Sequence, residues 1–420
     1  MNSEQPLYQE QIQKHFRWNF AVSAAEGGLF FLGLSFGTPV TIMPLYVSHL
    51  TSNRVLIGLV AAISGAGWYL PQLFTANYVA GLPVKKRMVV NVGLFSERLP
   101  WLVMALSAFL LAARVLSTAL FIFFVTLAWW TVGTGVIAVA WQEMLAKIIP
   151  VNYRGRLLGL ANSIGTAAGV LGAGVAAGIL ARFPFPTNFG ICFSVTFFFI
   201  MVSWAVLALT REPPLQSQSP AASLRDYARR LPGVLRRDRN FTSYLVNRIV
   251  AVFGKMGIGF VTVYAVQRWR LADSQAGLYT TMLLGGQAVT HIVGGAIADR
   301  MGHKVTLEAS SCLTVVAMLL AVLAPGPAWM YLAFAALGAA AAIDMQSGVA
   351  LPMEFAGPEE RPTYLGLANT IPGLFALGAP ILGGWIASWA SYKSLFSVAA
   401  VASTVAWAVL HFAVREPRHS

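Results

Sequence analysis

Among the ionisable residues inside long apolar runs are Glu26, Glu97, Arg98, Arg248, Lys255 and Asp344. A charged side chain at the centre of a bilayer costs about 2.5 to 3.5 kcal/mol on insertion scales, so each is expected to face a partner or a water-filled cavity. A carboxylate in a low-dielectric cavity can exchange a proton near neutral pH, which is what a proton-coupling site requires and points to Glu26 or Asp344. Arg248 and Lys255 share a helix face about 10.5 Å apart along the axis. Either suits pairing with that carboxylate or with an anionic group of a solute. The alternative is a fixed ion pair, for instance Glu26 with Arg248, that holds two parts of the molecule together. Glu97 and Arg98 are adjacent and point about 100° apart on a regular helix, so each is expected to find its partner on another helix.

Other polar and aromatic residues in apolar runs add candidates. Gln287 and His291 lie one helical turn apart, as a polar patch or proton relay, or as a histidine simply bonded to a neighbouring helix. Trp129 with Trp130, and Trp68 with Tyr69, sit mid-run, where they stack on a solute ring or pack in the core. Cys192 and Cys312 are too few for a disulfide framework, and no metal-ligand cluster or nucleotide-binding loop is present. Neither metal nor cofactor is expected.

The elements that position these residues follow from composition. Of 420 residues, 57% are hydrophobic and 11% charged, against about 25% charged in a soluble domain, which excludes a soluble enzyme. Twelve spans at about 35 residues each, turns included, fill the length. Apolar stretches run near 20–46, 55–80, 88–112, 116–146, 157–181 and 188–210, then 241–267, 275–298, 304–324, 328–350, 364–388 and 394–414. Pro325-Gly326-Pro327 splits the uncharged stretch from Ala309 to Ile343. The predicted class is an all-α polytopic membrane protein. Its parts are a cytoplasmic segment 1–19, a six-helix half 20–210, a basic linker 211–240, a second half 241–414 and a tail 415–420.

The net charge of +13 is topology rather than nucleic-acid binding. Of the 29 lysines and arginines, 20 fall on the side of the termini, 6 on the other side and three (Arg98, Arg248, Lys255) within spans. The positive-inside rule places both termini in the cytoplasm, in a plasma membrane of bacterial inner-membrane type. Met1 to Arg17 lacks the apolar core of a signal peptide, so the first helix is expected to be the insertion signal. The arginines of 211–239, with Leu224, Tyr227, Ala228, Leu231, Val234 and Leu235 at helical spacing, read as an amphipathic segment on the anionic leaflet or as a solvated tether.

The second half repeats the first. RGRLLGLANSI, Arg154 to Ile164, matches RPTYLGLANTI, Arg361 to Ile371, at an offset of 207. WAVL at Trp204 recurs at Trp407, and both halves close on REP, at Arg211 to Pro213 and Arg415 to Pro417. Matches anchored in loops and in the same order indicate duplication, an architecture transporters use for alternating access. Gly165, Gly169, Gly174 and Gly178 in span five suit close helix approach.

GAIADRMGHK, Gly295 to Lys304, resembles the GxxxDRxGRK signature of the major facilitator superfamily, and Arg154-Gly155-Arg156 resembles another of its inner-side signatures. The resemblance implies a 6+6 transporter in which the first, fourth, seventh and tenth spans line the cavity. Glu26, Arg248, Lys255 and Asp344 then face it, with Trp129, Trp130, Gln287 and His291 as further cavity candidates, whereas Glu97 and Arg98 lie on a peripheral helix. It also implies that Gly295, Asp299, Arg300, Gly302, Lys304, Arg154 and Arg361 form the inner gate, unless they only set turn geometry. Between spans two and three a lysine, Lys85, stands where the family has aspartate; a lysine facing a helix N-terminus is expected to be repelled.

These readings converge on a secondary active transporter of a small organic solute, monomeric and proton-coupled, with export of an amphipathic compound favoured. An organic-anion or nutrient importer or uniporter, and a non-transporting receptor or lipid-handling protein on the same scaffold, are the alternatives.

Overall fold

A computed structural model describes residues 4–214, 233–356 and 360–417. Among the described residues the regular structure is helical: α1 Glu4–Leu34, α2 Ile42–Leu50, α3 Arg54–Ala80, α4 Lys86–Leu110, α5 Leu116–Ile148, α6 Val151–Arg182, α7 Thr187–Leu207, α8 Arg239–Gly254, α9 Ile258–Trp269, α10 Ser274–Met301, α11 His303–Leu323, α12 Trp329–Glu354, α13 Arg361–Trp389 and α14 Tyr392–Ala413. Ten segments are long and apolar enough to cross a membrane, α8 and α9 running together as one of them. α1 with α2, and α10, complete the twelve expected.

Two spans read as continuous are broken. The first breaks between Leu34 and Ile42, where Gly37 and Pro39 interrupt the helix and the ring of Trp101 lies 2.5 Å from where a Cβ on Gly37 would stand. The seventh breaks at Lys255 to Gly257, flanked by Gly254. Both halves thus open on a helix bent at the same place in the repeat, and in the second half the break carries the candidate lysine.

The REP ends have a structural purpose that repeats with them. The Asn19 side chain donates to the Arg211 carbonyl at 2.9 Å and accepts from the Arg211 N–H at 2.9 Å. Asn240 does the same to Arg415, at 3.0 and 2.7 Å. The glutamate that follows reaches a helix start. Glu212 accepts from the backbone N–H groups of Lys85 and Lys86 at 3.0 and 2.6 Å and from the Lys147 ammonium at 2.9 Å. Glu416 lies against Gly302, the residue before α11, whose φ of +93° suits glycine. Lys85 is therefore not repelled: its ammonium turns back to the carbonyls of Val79, Ala80 and Leu82 at 2.6 to 3.2 Å, capping the end of α3, and Glu212 supplies the negative charge at the start of α4.

Packing is uneven along the bundle. At the end far from the termini, one apolar core spans both halves, joining Phe36, Tyr46, Trp101 and Phe193 to Phe260, Tyr264, Tyr279 and Phe334. At the terminal end each half has its own core, around Met88, Met144 and Leu207 in one and Tyr244, Leu351 and Tyr364 in the other. The far end is also stitched by polar contacts between halves. His49 lies 2.9 Å from Asp273, Thr41 is 2.5 Å from Thr280, Asn188 donates to Asp273 at 3.1 Å, and Arg54 bonds the Ala387 carbonyl while covering the Tyr392 ring at 4.4 Å.

Candidate functional site

The charged residues of the second half converge. Asp344, on α12, forms an ion pair with Lys255, and its other oxygen lies 3.8 Å from the Arg248 guanidinium. The break after Gly254 lets Lys255 turn inward at the end of α8, where the helix dipole favours a cation. Arg248 lies on α8 and packs beside Gly348, where a Cβ would be in ordinary contact with its guanidinium at 3.4 Å. Its Nε has no hydrogen-bond partner among the described residues.

Arg248 and Lys255 also line a cavity of about 270 Å³ between the halves. The first half contributes Pro39 and Val40 from its broken span and Ala61, Gly65 and Tyr69 from α3; α13 contributes Ala368, Asn369, Pro372, Gly373, Ala376 and Pro380. Behind the cations, a water-sized space of about 20 Å³ is lined by Asp344, Asn247, Ser310, Ser311, Thr314 and Ser403. Asp344 thus stands behind the two cations and holds both. The cluster carries one net positive charge.

The first half holds the opposite arrangement. Arg98 bonds Glu97, its neighbour in sequence, and the Gly93 carbonyl at 3.3 Å. A π-helical turn at Leu94–Arg98 widens the helix there and turns successive residues through less than the regular 100°, so the two adjacent side chains meet. This corrects the expectation for Glu97, whose partner is its own neighbour, whereas Arg98 also meets Glu26 of another helix, α1. Glu26 faces Arg98 rather than Arg248, so the alternative of a Glu26–Arg248 pair falls. Ser203 donates to the Glu26 carbonyl at 3.1 Å, and all three charged residues are buried. This cluster sets two carboxyl groups against one guanidinium and lines neither cavity.

The remaining candidates disperse. Trp130 is buried and meets Trp101 edge to face at 4.7 Å; Trp129, 40% exposed, is directed elsewhere, and neither lines the cavity. His291 is bonded by Gln346 of α12 at 3.1 Å, and neither it nor Gln287 lines the cavity. Of the glycines in span five, Gly165 packs on Phe31 and Gly169 beside Leu284, while Gly174 and Gly178 face open space. Of the gate residues, Arg154 bonds the carbonyls of Ala146 and Ile149, capping α5. Lys304 pairs with Glu308 at 3.5 Å and bonds the His411 carbonyl, Gly295 faces open space and Arg300 is exposed. The side chains of Asp299 and Arg361 lie outside the described residues, as do 215–232 of the amphipathic segment expected over 211–239, whose Val234 and Leu235 pack against the core of the second half.

Sequence reasoning missed Tyr69's neighbour across the cavity, Asn369, although it stands in the repeated LANTI string and was thereby marked. It missed Asn19 and Asn240 altogether, because an asparagine gripping a backbone 192 residues away leaves no local pattern, and it marked Glu212 only as part of the repeated REP string.

Residues 244–420 match the family model of the Major Facilitator Superfamily. Two curated relatives, both described as uncharacterized MFS-type transporters of Mycobacterium tuberculosis, are 26% identical over 162 residues. That segment is 39% of this chain and 23% of each relative, so the chain spans about a quarter of their length. Among solved structures, a mutant of the nucleoside transporter NupG is similar with a TM-score of 0.71 at 13% identity, over 94% of this chain and 100% of that one. A D-xylose-proton symporter gives 0.71 at 15%, over 96% and 99%, and the Escherichia coli fucose:proton symporter FucP gives 0.60 at 15%, over 94% and 98%. At these identities the likeness shows a shared fold.

Proposed function

We propose that this chain is a transporter of the major facilitator superfamily that moves a small organic solute by secondary active transport and alternating access, with 20–210 rocking against 241–414. The observation that carries the reading is the cavity of about 270 Å³ at the junction of the halves, with charged walls and, among the described residues, a core that spans both halves at the far end and separate cores at the terminal end. Its size sits just under the ~300 to 1,000 Å³ usual for ligand pockets, which favours a compact polar solute over a bulky amphipathic one. The charge asymmetry of the loops puts both termini in the cytoplasm of a plasma membrane, and in that orientation the closed end faces outward. The coupling proton is assigned to Asp344, at the cavity wall, rather than to Glu26, which the first half encloses. The chain works as a monomer, with 211–239 against anionic lipid.

The test is internal pH in proteoliposomes while solute panels are added with and without an imposed proton gradient. Solute-dependent proton movement is expected, and Asp344→Asn removes it while solute exchange continues. A folded protein showing neither proton movement nor solute flux across a broad panel overturns the reading.

A further inference from the structure

The cavity pairs two cations with one carboxylate, and that carboxylate stands on the far side of them. Lys255 and Arg248 line the solute cavity, whereas Asp344 lines only the small space behind. Asp344 binds through both oxygens, Oδ2 to Lys255 and Oδ1 toward Arg248 at 3.8 Å. The Arg248 pairing is longer than a hydrogen bond, and its Nε has no partner among the described residues, so donors of the guanidinium fork are unused. An unsatisfied guanidinium beside a cavity at membrane depth is costly unless a ligand completes it. Tyr69 and Asn369 stand across the same cavity with polar groups that suit orientation of a small solute.

We propose that the solute is a small organic anion whose carboxylate takes the place of the Asp344 carboxylate between Arg248 and Lys255. This rests on the transport reading above. The exchange fixes the charge balance. Before it, the cluster holds two cations and one anion. Once the solute's carboxylate is seated, Asp344 loses its counter-ions inside the membrane and takes up one proton, so the cluster again holds two cations and one anion. Anion and proton enter the site one for one, with no bond made or broken besides the O–H of Asp344. Besides Arg248 and Lys255, the groups around Asp344 are the Tyr244 phenol and Asn247 of α8, the Ser310, Ser311 and Thr314 hydroxyls of α11 and Ser403 of α14, so among the described residues no second carboxylate in that space competes for the proton. Coupled movement is therefore electroneutral.

The experiment is binding to the purified full chain in detergent, read by tryptophan fluorescence, with size-matched sets: benzoate, benzamide and benzylamine, then succinate and succinamide. The carboxylates are expected to bind about ten- to hundredfold more tightly than the amides, the worth of hydrogen bonds to charged groups, with affinity rising as pH falls from 8 to 5. Lys255→Gln weakens carboxylate binding by a similar factor; Lys255→Arg largely retains it. Asp344→Asn has the opposite sign: it strengthens carboxylate binding and flattens its pH dependence. A merely structural triad predicts loss in both Lys255→Gln and Asp344→Asn, and that result overturns the proposal, as does equal binding of amides and carboxylates. Flux in proteoliposomes separates the two readings. Transport confined to neutral solutes leaves the transporter and removes the anion site, whereas carboxylate binding with these signs but no flux retains the site and removes the transporter. Flux that follows an imposed potential at constant pH contradicts the one-for-one balance.

Discussion

The sealed end of the bundle rests on glycines that meet backbone from the other half, and adding one methyl group there makes a sharp test. Gly384 of α13 faces the start of α3. A Cβ on it would lie 2.7 Å from the Arg54 carbonyl oxygen and 2.7 Å from the Val55 Cα. Ordinary contact begins at 3.4 Å, so the two halves must separate by about 0.7 Å, and neither obstructing group is a side chain able to swing away. Overpacking of this kind costs about 1 to 3 kcal/mol. Because the clash exists only when the far end is closed, the cost falls on that state alone and shifts the equilibrium toward the open one by roughly 5- to 150-fold. The readout is Thr280→Cys in a Cys312→Ser background, labelled with a membrane-impermeant maleimide. Thr280 is fully buried at the seam beside Thr41 and distant in sequence from Gly384. Gly384→Ala should raise the labelling rate by that factor with little change in unfolding temperature. An unchanged rate in a folded Gly384→Ala protein would refute the claim that these contacts hold the far end shut.

Four further outcomes are expected. Gly338→Ala places a methyl against Leu283 within the second half, so it should lower the unfolding temperature in detergent without changing the Thr280→Cys labelling rate. Arg98→Met leaves Glu26 and Glu97 buried without their cation and should cost about 3 to 5 kcal/mol, read as a large fall in thermal stability. Glu212→Gln loses the charge that holds two backbone N–H groups and Lys147, about 1.5 to 3 kcal/mol, detectable as increased hydrogen exchange at the start of α4. Asn19→Ala and Asn240→Ala each remove two hydrogen bonds worth about 1 kcal/mol apiece, and the same method should show the loosening at Arg211 and at Arg415.

Much of the fold was legible because membrane spans are written as length and apolarity, and the duplication as loop-anchored repeats. The two broken helices were not, since a break inside an apolar run changes neither property; only Gly37 with Pro39, and Gly254 with Gly257, marked them. The meeting of Lys255, Arg248 and Asp344 was foreshadowed by helix assignment and by a shared helix face. Glu97 was misread for a geometric reason: a regular helix keeps it apart from Arg98, and one wider turn removes that constraint. Lys85 was misread because its charge was judged against the helix that follows it, while its side chain is long enough to serve the helix before it.

The asparagine clasps bear on how force passes through the molecule. Asn19 fastens the last residue of one half to its first helix, and Asn240 does so in the other. Each half is thereby closed into a ring by hydrogen bonds, with its own beginning tied to its own end. Motion between the halves then pulls on neither pair of ends, and the chain joining them need carry no load for the halves to move as rigid bodies. Polypeptides covering 1–214 and 233–420, made separately in one membrane, should accordingly find each other and restore solute exchange.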